Sequence, residues 1–441
     1  MTHGAWSFVL SWSRVGINAA LFLAATRVLT LAEIGMFATA FAPIRLLQAV
    51  QKAGVSDAVV LFGDKGRRQS ALLTLSLAFG AVFATAFALI GAVVSPMLLA
   101  LSPIPLLTAI GAVPEGILRH RLALRALALR TLVAQLSAAG LALWLLSHGY
   151  GAWALVTFAV ANAALTNVLS AILARWWPRA WPRRRDVTLI IAKTAQISTR
   201  ALLNTSQMPL AQIAVGLTLG PVAAGAFQIA TRMLELIDAL TLSPLRYIAL
   251  PELARAEDVG RAIQNQTRRA ATLAAWVWGG TLAATQPLLT VAVGPAHAPA
   301  ATPVLQALAA LGLLSALMMP VTQALTAKGL TSLPLKRAAL SLTLSAVLLI
   351  PAAQISATAC ALALACAGGV AHLWLLKSAL PRLHLSAKHL TPVLPPLLAG
   401  AAIIALLWTA PPLALIGQVA LGTATYATLI ALAYLPEWRL P

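Results

Sequence analysis

This chain of 441 residues has 11 acidic side chains against 31 lysines and arginines, only two cysteines, and 10% charged residues in all. Each shortage excludes something. Cys360 and Cys366 fall in one apolar stretch, so neither a disulfide nor a metal site is expected. The sequence holds no P-loop, no dinucleotide-binding glycine motif and no zinc spacing, which argues against nucleotide-driven work and against a bound cofactor. It also lacks any hydrophilic segment long enough for a soluble domain. A catalytic set of carboxylates or histidines therefore has nowhere to sit, and no enzyme activity is expected. Instead, hydrophobic residues make up 60% of the chain and the mean hydropathy is +0.87. A water-soluble core cannot absorb that much apolar surface, and backbone crossing lipid must satisfy its own hydrogen bonds, so an all-α polytopic membrane protein is predicted.

The positive charge is not spread evenly. Of the 31 basic residues, 23 fall in seven patches: residues 63–69, 119–130, 175–185, 251–269, 328–337, 377–388 and the C-terminal EWRLP. Each apolar block between patches is long enough to cross a bilayer and return, since one crossing takes about 20 residues. Seven such blocks predict about fourteen helices. The intervening turns, including TLAE after the first helix and SHGYG at 147–151, carry no lysine or arginine. Because short basic loops are retained on the cytoplasmic side, both termini are expected there, in a bacterial inner membrane. The net charge of +20 is accounted for by this topology and by contact with anionic lipids rather than by nucleic acid. The first apolar stretch reads as a retained helix rather than a cleaved signal.

A faint repeat divides the chain. Arg14-Val-Gly-Ile-Asn18 recurs as Arg200-Ala-Leu-Leu-Asn204, LTL at 29–31 recurs at 217–219, and Gly35-Met-Phe37 recurs as Gly225-Ala-Phe227. The order is kept and the offset grows only slightly. The expected organisation is a lobe of six helices over 1–186, a second over 187–377, and two further helices over 378–441. Parallel repeats of this kind are a transporter plan with the substrate site between halves.

Three stretches carry a family likeness: RVLTLAEIGMFATAFAPIRLLQAVQKAGVSDAVV (27–60), PEGILRHRLALRALALRTLVAQ (114–135) with GYGAWALV (149–156), and AGAFQIATRMLELIDALTLSPLRYIALPELAR (224–255). They resemble the polysaccharide transporters of the MOP flippase superfamily over about the first 330 residues. The resemblance implies a MATE-like pair of lobes and movement of a lipid-linked oligosaccharide, a polyprenyl-diphosphate sugar, to the outer leaflet. It also implies association with glycosyltransferases and a polysaccharide polymerase. Lys52 and Asp57 depart from the uncharged polar residues common in that family. Two other readings stay open: a multidrug exporter of organic cations, and a scaffold of a polysaccharide synthesis complex that transports nothing.

Eight basic residues remain inside predicted spans: Arg14, Arg27, Arg45, Lys52, Lys193, Arg200, Arg232 and Arg246. An intramembrane charge is costly unless it meets a cavity or a partner. Arg14 and Asn18, like Arg200 and Asn204, are four residues apart and share a helix face. These four, with Arg45 and Arg232, are the expected ligands of a diphosphate and its sugar, the guanidinium fork matching phosphate oxygens. Glu235 and Asp238 are the candidates for ion coupling, with a simple Arg232–Glu235 ion pair as the plainer account. Pro43, Pro209, Pro244, Pro287 and Pro320 lie within spans, where each removes a backbone donor and offers a bend.

Overall fold

The computed structural model describes residues 3–62, 66–178, 184–256, 258–383, 391–409 and 414–434. Among them the structure is helical, without strands. The first helices are α1 (His3–Val28), α2 (Leu31–Gln51), a π-helical turn (Lys52–Asp57) and α3 (Ala58–Phe62). There follow α4 (Gly66–Val94), α5 (Pro96–Leu101), α6 (Ile104–His120), α7 (Leu124–Ser147) and α8 (Trp153–Ala174). The middle of the chain forms α9 (Arg184–Thr205), α10 (Gln207–Thr218), α11 (Gly220–Thr241) and α12 (Ser243–Arg255). Then come α13 (Val259–Ala283), α14 (Thr285–Val293), α15 (Ala298–Leu317), α16 (Met319–Ala327) and α17 (Ser332–Ala352). The chain ends with α18 (Ala357–Arg382), α19 (Leu394–Thr409) and α20 (Leu415–Tyr434).

Nine helical stretches among the described residues are long and apolar enough to cross a bilayer. Their outer faces are apolar: Val82, Leu89, Ile90, Val93 and Val94 of α4 are all exposed. Such a surface belongs in lipid rather than water. Several segments, Ala298–Ala327 of the nine included, are pairs of shorter helices, and prolines mark the joints. Pro244 and Pro320 are the second residues of α12 and α16, and Pro209 and Pro287 lie in the first turns of α10 and α14. A first-turn nitrogen has no partner within its helix, so proline is tolerated there while the preceding helix stops. Pro43 stays inside a continuous α2.

The chain forms two compact units, Met1–Gly225 and Ala226–Pro441, with their boundary inside α11. In the first, α1 lies along α7, α6 packs on α8 and α4, and α9 and α10 pack against α2. This unit includes α9, the helix that bears Arg200 and Asn204. In the second, α17 packs on α18, α15 on α18 and α13, and α13 on α19.

Two contacts show how the turns sort by end. Thr30 caps α2 reciprocally: its backbone N–H and hydroxyl donate to Glu33 at 2.9 and 2.8 Å, and the Glu33 N–H donates to Thr30 Oγ1 at 3.3 Å. The same Glu33 carboxylate lies against Gly151, where a Cβ would come within 2.4 Å of Oε1, so TLAE and SHGYG meet at one end of the unit. At the other end the Arg121 guanidinium donates to the Ala174 carbonyl at 3.0 Å, joining two basic patches. In the second unit a cluster of Leu253, Ile263, Leu333, Leu375, Ala379 and Leu383 draws three further patches together. EWRLP lies outside the described residues, as does the side chain of Lys193.

The repeat has a geometric counterpart. A Cβ on Gly35 would stand 1.8 Å from the Pro221 carbonyl oxygen, and one on Gly225 would stand 2.0 Å from that of Leu31. An offset of 190 carries residue 31 to 221 and residue 35 to 225. The contact is thus reciprocal under the repeat, as a local two-fold relation requires, and only glycine allows backbones to approach so closely.

Candidate functional site

The site begins with the π-helical turn. It interrupts α2 and α3 with a wider turn, a feature often found where helices carry function. Two glycines fit it between neighbours. A Cβ on Gly54 would meet Ser198 of α9 at 2.1 Å, and one on Gly116 of α6 would meet Val59 at 2.7 Å and the Ser56 carbonyl oxygen at 2.8 Å. With α6 pressed so close, Asp57, the last residue of the π turn, comes alongside Arg119.

Arg119 holds two carboxylates at once. Its Nη1 donates to Asp57 Oδ1 at 3.2 Å and its Nη2 to Glu115 Oε1 at 2.7 Å. The second oxygen of Glu115 accepts from Arg130 of α7 at 3.3 Å, and Arg130 also donates to the Ser170 hydroxyl of α8. Glu115 and Arg130 are buried, whereas Arg119 and Asp57 are close to half exposed. Lys52 and Arg14 add two more cations, since Lys52 lies within electrostatic reach of Glu115, Arg14, Arg130 and Arg119. Lys52, Arg119 and Arg130 thus surround one buried carboxylate, with Arg14 near two of them, a local excess of positive charge.

That excess opens onto a cavity. Asp57, Arg119, Arg200 and Asn204 line a space of ≈ 600 Å³ together with Ala53, Val60, Ile197 and Ala201. Its polar side carries two guanidiniums and its apolar side small aliphatic groups. The chemistry suits a small anionic head joined to an apolar body, and the volume falls in the usual range for ligand pockets.

The expected residues are distributed unevenly over this geometry. Arg200 and Asn204 line the cavity, and Arg14 stands in the electrostatic field around Lys52 and Arg130. Asn18 donates its amide to the Arg14 carbonyl at 2.7 Å, and Asn204 does the same to Arg200 at 2.9 Å, so the two Arg-Asn pairs share one local geometry. Each asparagine spends its donor on its own helix and keeps its carbonyl as an acceptor. Arg45 is half-buried on α2. In the second unit Arg232 pairs with Glu235 at 2.8 Å, and Arg246 holds Asp238 by two hydrogen bonds at 2.8 and 2.7 Å. The three spaced residues of α11 are therefore split between two ion pairs.

Arg119, Arg130, Glu115 and Asp57 were not among the expected ligands. Arg119 and Arg130 sit in a basic patch whose charge orientation already explains, and Asp57 and Glu115 read as acids at helix ends. The available signal was local: Glu115 precedes Arg119 by one helical turn, and Arg130 stands a turn and a half inside α7 rather than in a loop.

Solved structures share this fold. Lipid II flippase MurJ in an inward closed conformation superposes with a TM-score of 0.80 at 13% identity, over 99% of this chain and 100% of that one. An inward-facing MATE multidrug resistance transporter of the MOP superfamily gives 0.65 at 15% identity, over 83% and 94%. A MOP superfamily transporter from Pyrococcus furiosus gives 0.56 at 17% identity, over 86% and 95%. No curated protein matches the chain. A family model described as "Polysaccharide biosynthesis protein" matches residues 24–285, a span that holds the π turn, Glu115, Arg119, Arg130, Arg200 and Asn204. The chain is a multi-pass membrane protein with the fold shared by MurJ and the MATE transporters, and it belongs to the polysaccharide biosynthesis protein family.

Proposed function

We propose that this protein is a flippase that carries a lipid-linked oligosaccharide, a polyprenyl-diphosphate sugar, across the bacterial inner membrane by alternating access, for polysaccharide export. The observation that carries the proposal is the cationic wall of the first unit, where Arg119 and Arg200 face one cavity and Lys52 and Arg14 reinforce the field. A diphosphate in a region of low dielectric needs such partners, because charge there is costly unless paired. The polyprenyl tail needs none, and it stays in lipid beside apolar helix faces. Both termini face the cytoplasm in this reading, glycosyltransferases supply the substrate, and a polymerase receives it.

The acidic residues favour this cargo over an organic cation. Glu115 is buried between two arginines and Asp57 is held by Arg119, so the two carboxylates at this site are already neutralised. Glu235 and Asp238 act as counter-ions to Arg232 and Arg246, and a proton-coupled step at either needs its pair to open. A scaffold has no use for guanidiniums around a cavity.

The experiment is a comparison of cargoes in proteoliposomes. A fluorescent polyprenyl-diphosphate oligosaccharide is expected to cross at least tenfold faster than in protein-free vesicles, while ethidium is not moved. Transport of ethidium with no movement of the lipid-linked sugar would assign the chain to cation export, and movement of neither would leave it a scaffold.

A further inference from the structure

The two carboxylates on Arg119 differ in a way that a simple structural ion pair does not require. Glu115 is nearly inaccessible and uses both oxygens, one on Arg119 and one on Arg130. Asp57 is 49% exposed, uses one oxygen at the longer distance of 3.2 Å, and lines the cavity beside Arg200. One arm of the Arg119 fork is therefore engaged by a buried carboxylate, and the other rests on a ligand that solvent can reach.

We propose that Asp57 is a built-in counter-anion that occupies the diphosphate position on Arg119 and excludes monoanionic lipid headgroups from the cavity. This inference rests on the flippase reading above. A bilayer offers an enormous excess of monoanionic phospholipids, each with a phosphate that an exposed arginine would bind. One negative charge arriving at Arg119 merely replaces the one already there and must also displace a tethered carboxylate. A diphosphate brings enough charge and oxygens to take Arg119 and Arg200 together, so it alone gains by the exchange. Discrimination thus comes from an element that opposes the wrong ligand as well as from contacts that favour the right one. The exchange also runs backwards: Asp57, tethered and always close, recaptures Arg119 and returns the head group to the cavity, which a carrier needs because its cargo must leave.

The placement of Asp57 follows from the fold. Gly54 and Gly116 let the π turn sit tightly between α9 and α6, and this fixes Asp57 within reach of Arg119 without burying it.

The test measures binding of two probes, farnesyl diphosphate and phosphatidylglycerol, to the purified full-length protein in detergent by its tryptophan fluorescence. Wild-type protein is expected to prefer farnesyl diphosphate. Asp57→Asn is expected to gain about tenfold in phosphatidylglycerol affinity, whereas Asp57→Glu stays at the wild-type value. In an Arg119→Gln background the gain from Asp57→Asn should vanish, and Arg119→Gln alone should weaken farnesyl diphosphate binding about tenfold. Asp57→Ser replaces Asp57→Asn if the latter is not monodisperse. An unchanged phosphatidylglycerol affinity in Asp57→Asn, or a gain that survives loss of Arg119, overturns the proposal and leaves the flippase reading intact. If wild-type protein fails to bind farnesyl diphosphate, the diphosphate reading itself falls, and this proposal with it.

Discussion

The two units treat their membrane charges differently. In the first, one connected cluster ties the π turn to α6, α7 and α8: Asp57 to Arg119, Glu115 to both Arg119 and Arg130, and Arg130 to Ser170. In the second, Arg232 pairs with Glu235 one turn away, Arg246 with Asp238 across the α11–α12 joint, and Arg269 with Glu252 across the α12–α13 turn. The second unit matches each of these cations with an acid of its own. The first surrounds one buried acid with several cations, and leaves positive charge facing a cavity. An anionic cargo is better served by the first arrangement, because a cation already neutralised by its neighbour has little left to offer a ligand.

Breaking the first network at its buried centre should have the largest effect. Glu115→Gln leaves Arg130 buried without its carboxylate, and removal of one partner of a buried pair costs about 3–5 kcal/mol; denaturation of the purified protein in mixed micelles measures it. Next comes the reciprocal glycine contact. Gly35→Ala and Gly225→Ala each force a methyl group into a backbone carbonyl, and overpacking of this sort costs about 1–3 kcal/mol. The same unfolding series should place both variants below wild type, and Gly280→Ala, which has open space, close to it.

The local pairs of the second unit should matter less. Arg232→Gln combined with Glu235→Gln removes a partly exposed i,i+3 pair while keeping the net charge, and is expected to slow transport about twofold, because pairs of this kind contribute about 0.3–0.5 kcal/mol. The smallest effect belongs to Arg269→Gln, whose pair with Glu252 is exposed on both sides: less than 1 kcal/mol in stability and less than twofold in flipping rate. If either change matched the loss seen on breaking the first network, the contrast between the units would be lost.

Much of this architecture is legible along the chain, for physical reasons particular to membranes. Backbone in lipid must be helical, so hydropathy places many of the long helices, and Pro209, Pro244, Pro287 and Pro320 mark where one helix stops and the next begins, since a first turn tolerates proline. The Thr30–Glu33 cap lies in TLAE, four residues that the sequence marks as a turn. The likeness of Arg14-Asn18 to Arg200-Asn204 was also visible, and both pairs make the same bond to their own helix. What could not be read is which patch charges turn inward. Arg119 meets Asp57 across 62 residues, and Arg130 meets Ser170 across 40; charge counting assigns both arginines to topology because loop charges and site charges are the same residue type. The π turn was equally hidden, since nothing in KAGVSD distinguishes it from an ordinary helical turn. Only the close approach of Gly54 and Gly116 to their neighbours explains why it sits where it does.

The central claim is that cations of the first unit hold the diphosphate. Its most direct test is the flipping rate of a fluorescent polyprenyl-diphosphate oligosaccharide in proteoliposomes bearing Arg14→Ala with Arg200→Ala, with insertion checked by protease protection. Hydrogen bonds to charged groups contribute about 1.5–3 kcal/mol each, so the loss of both guanidiniums should reduce the rate about a hundredfold or more. A correctly inserted double variant that flips at the wild-type rate would contradict the account.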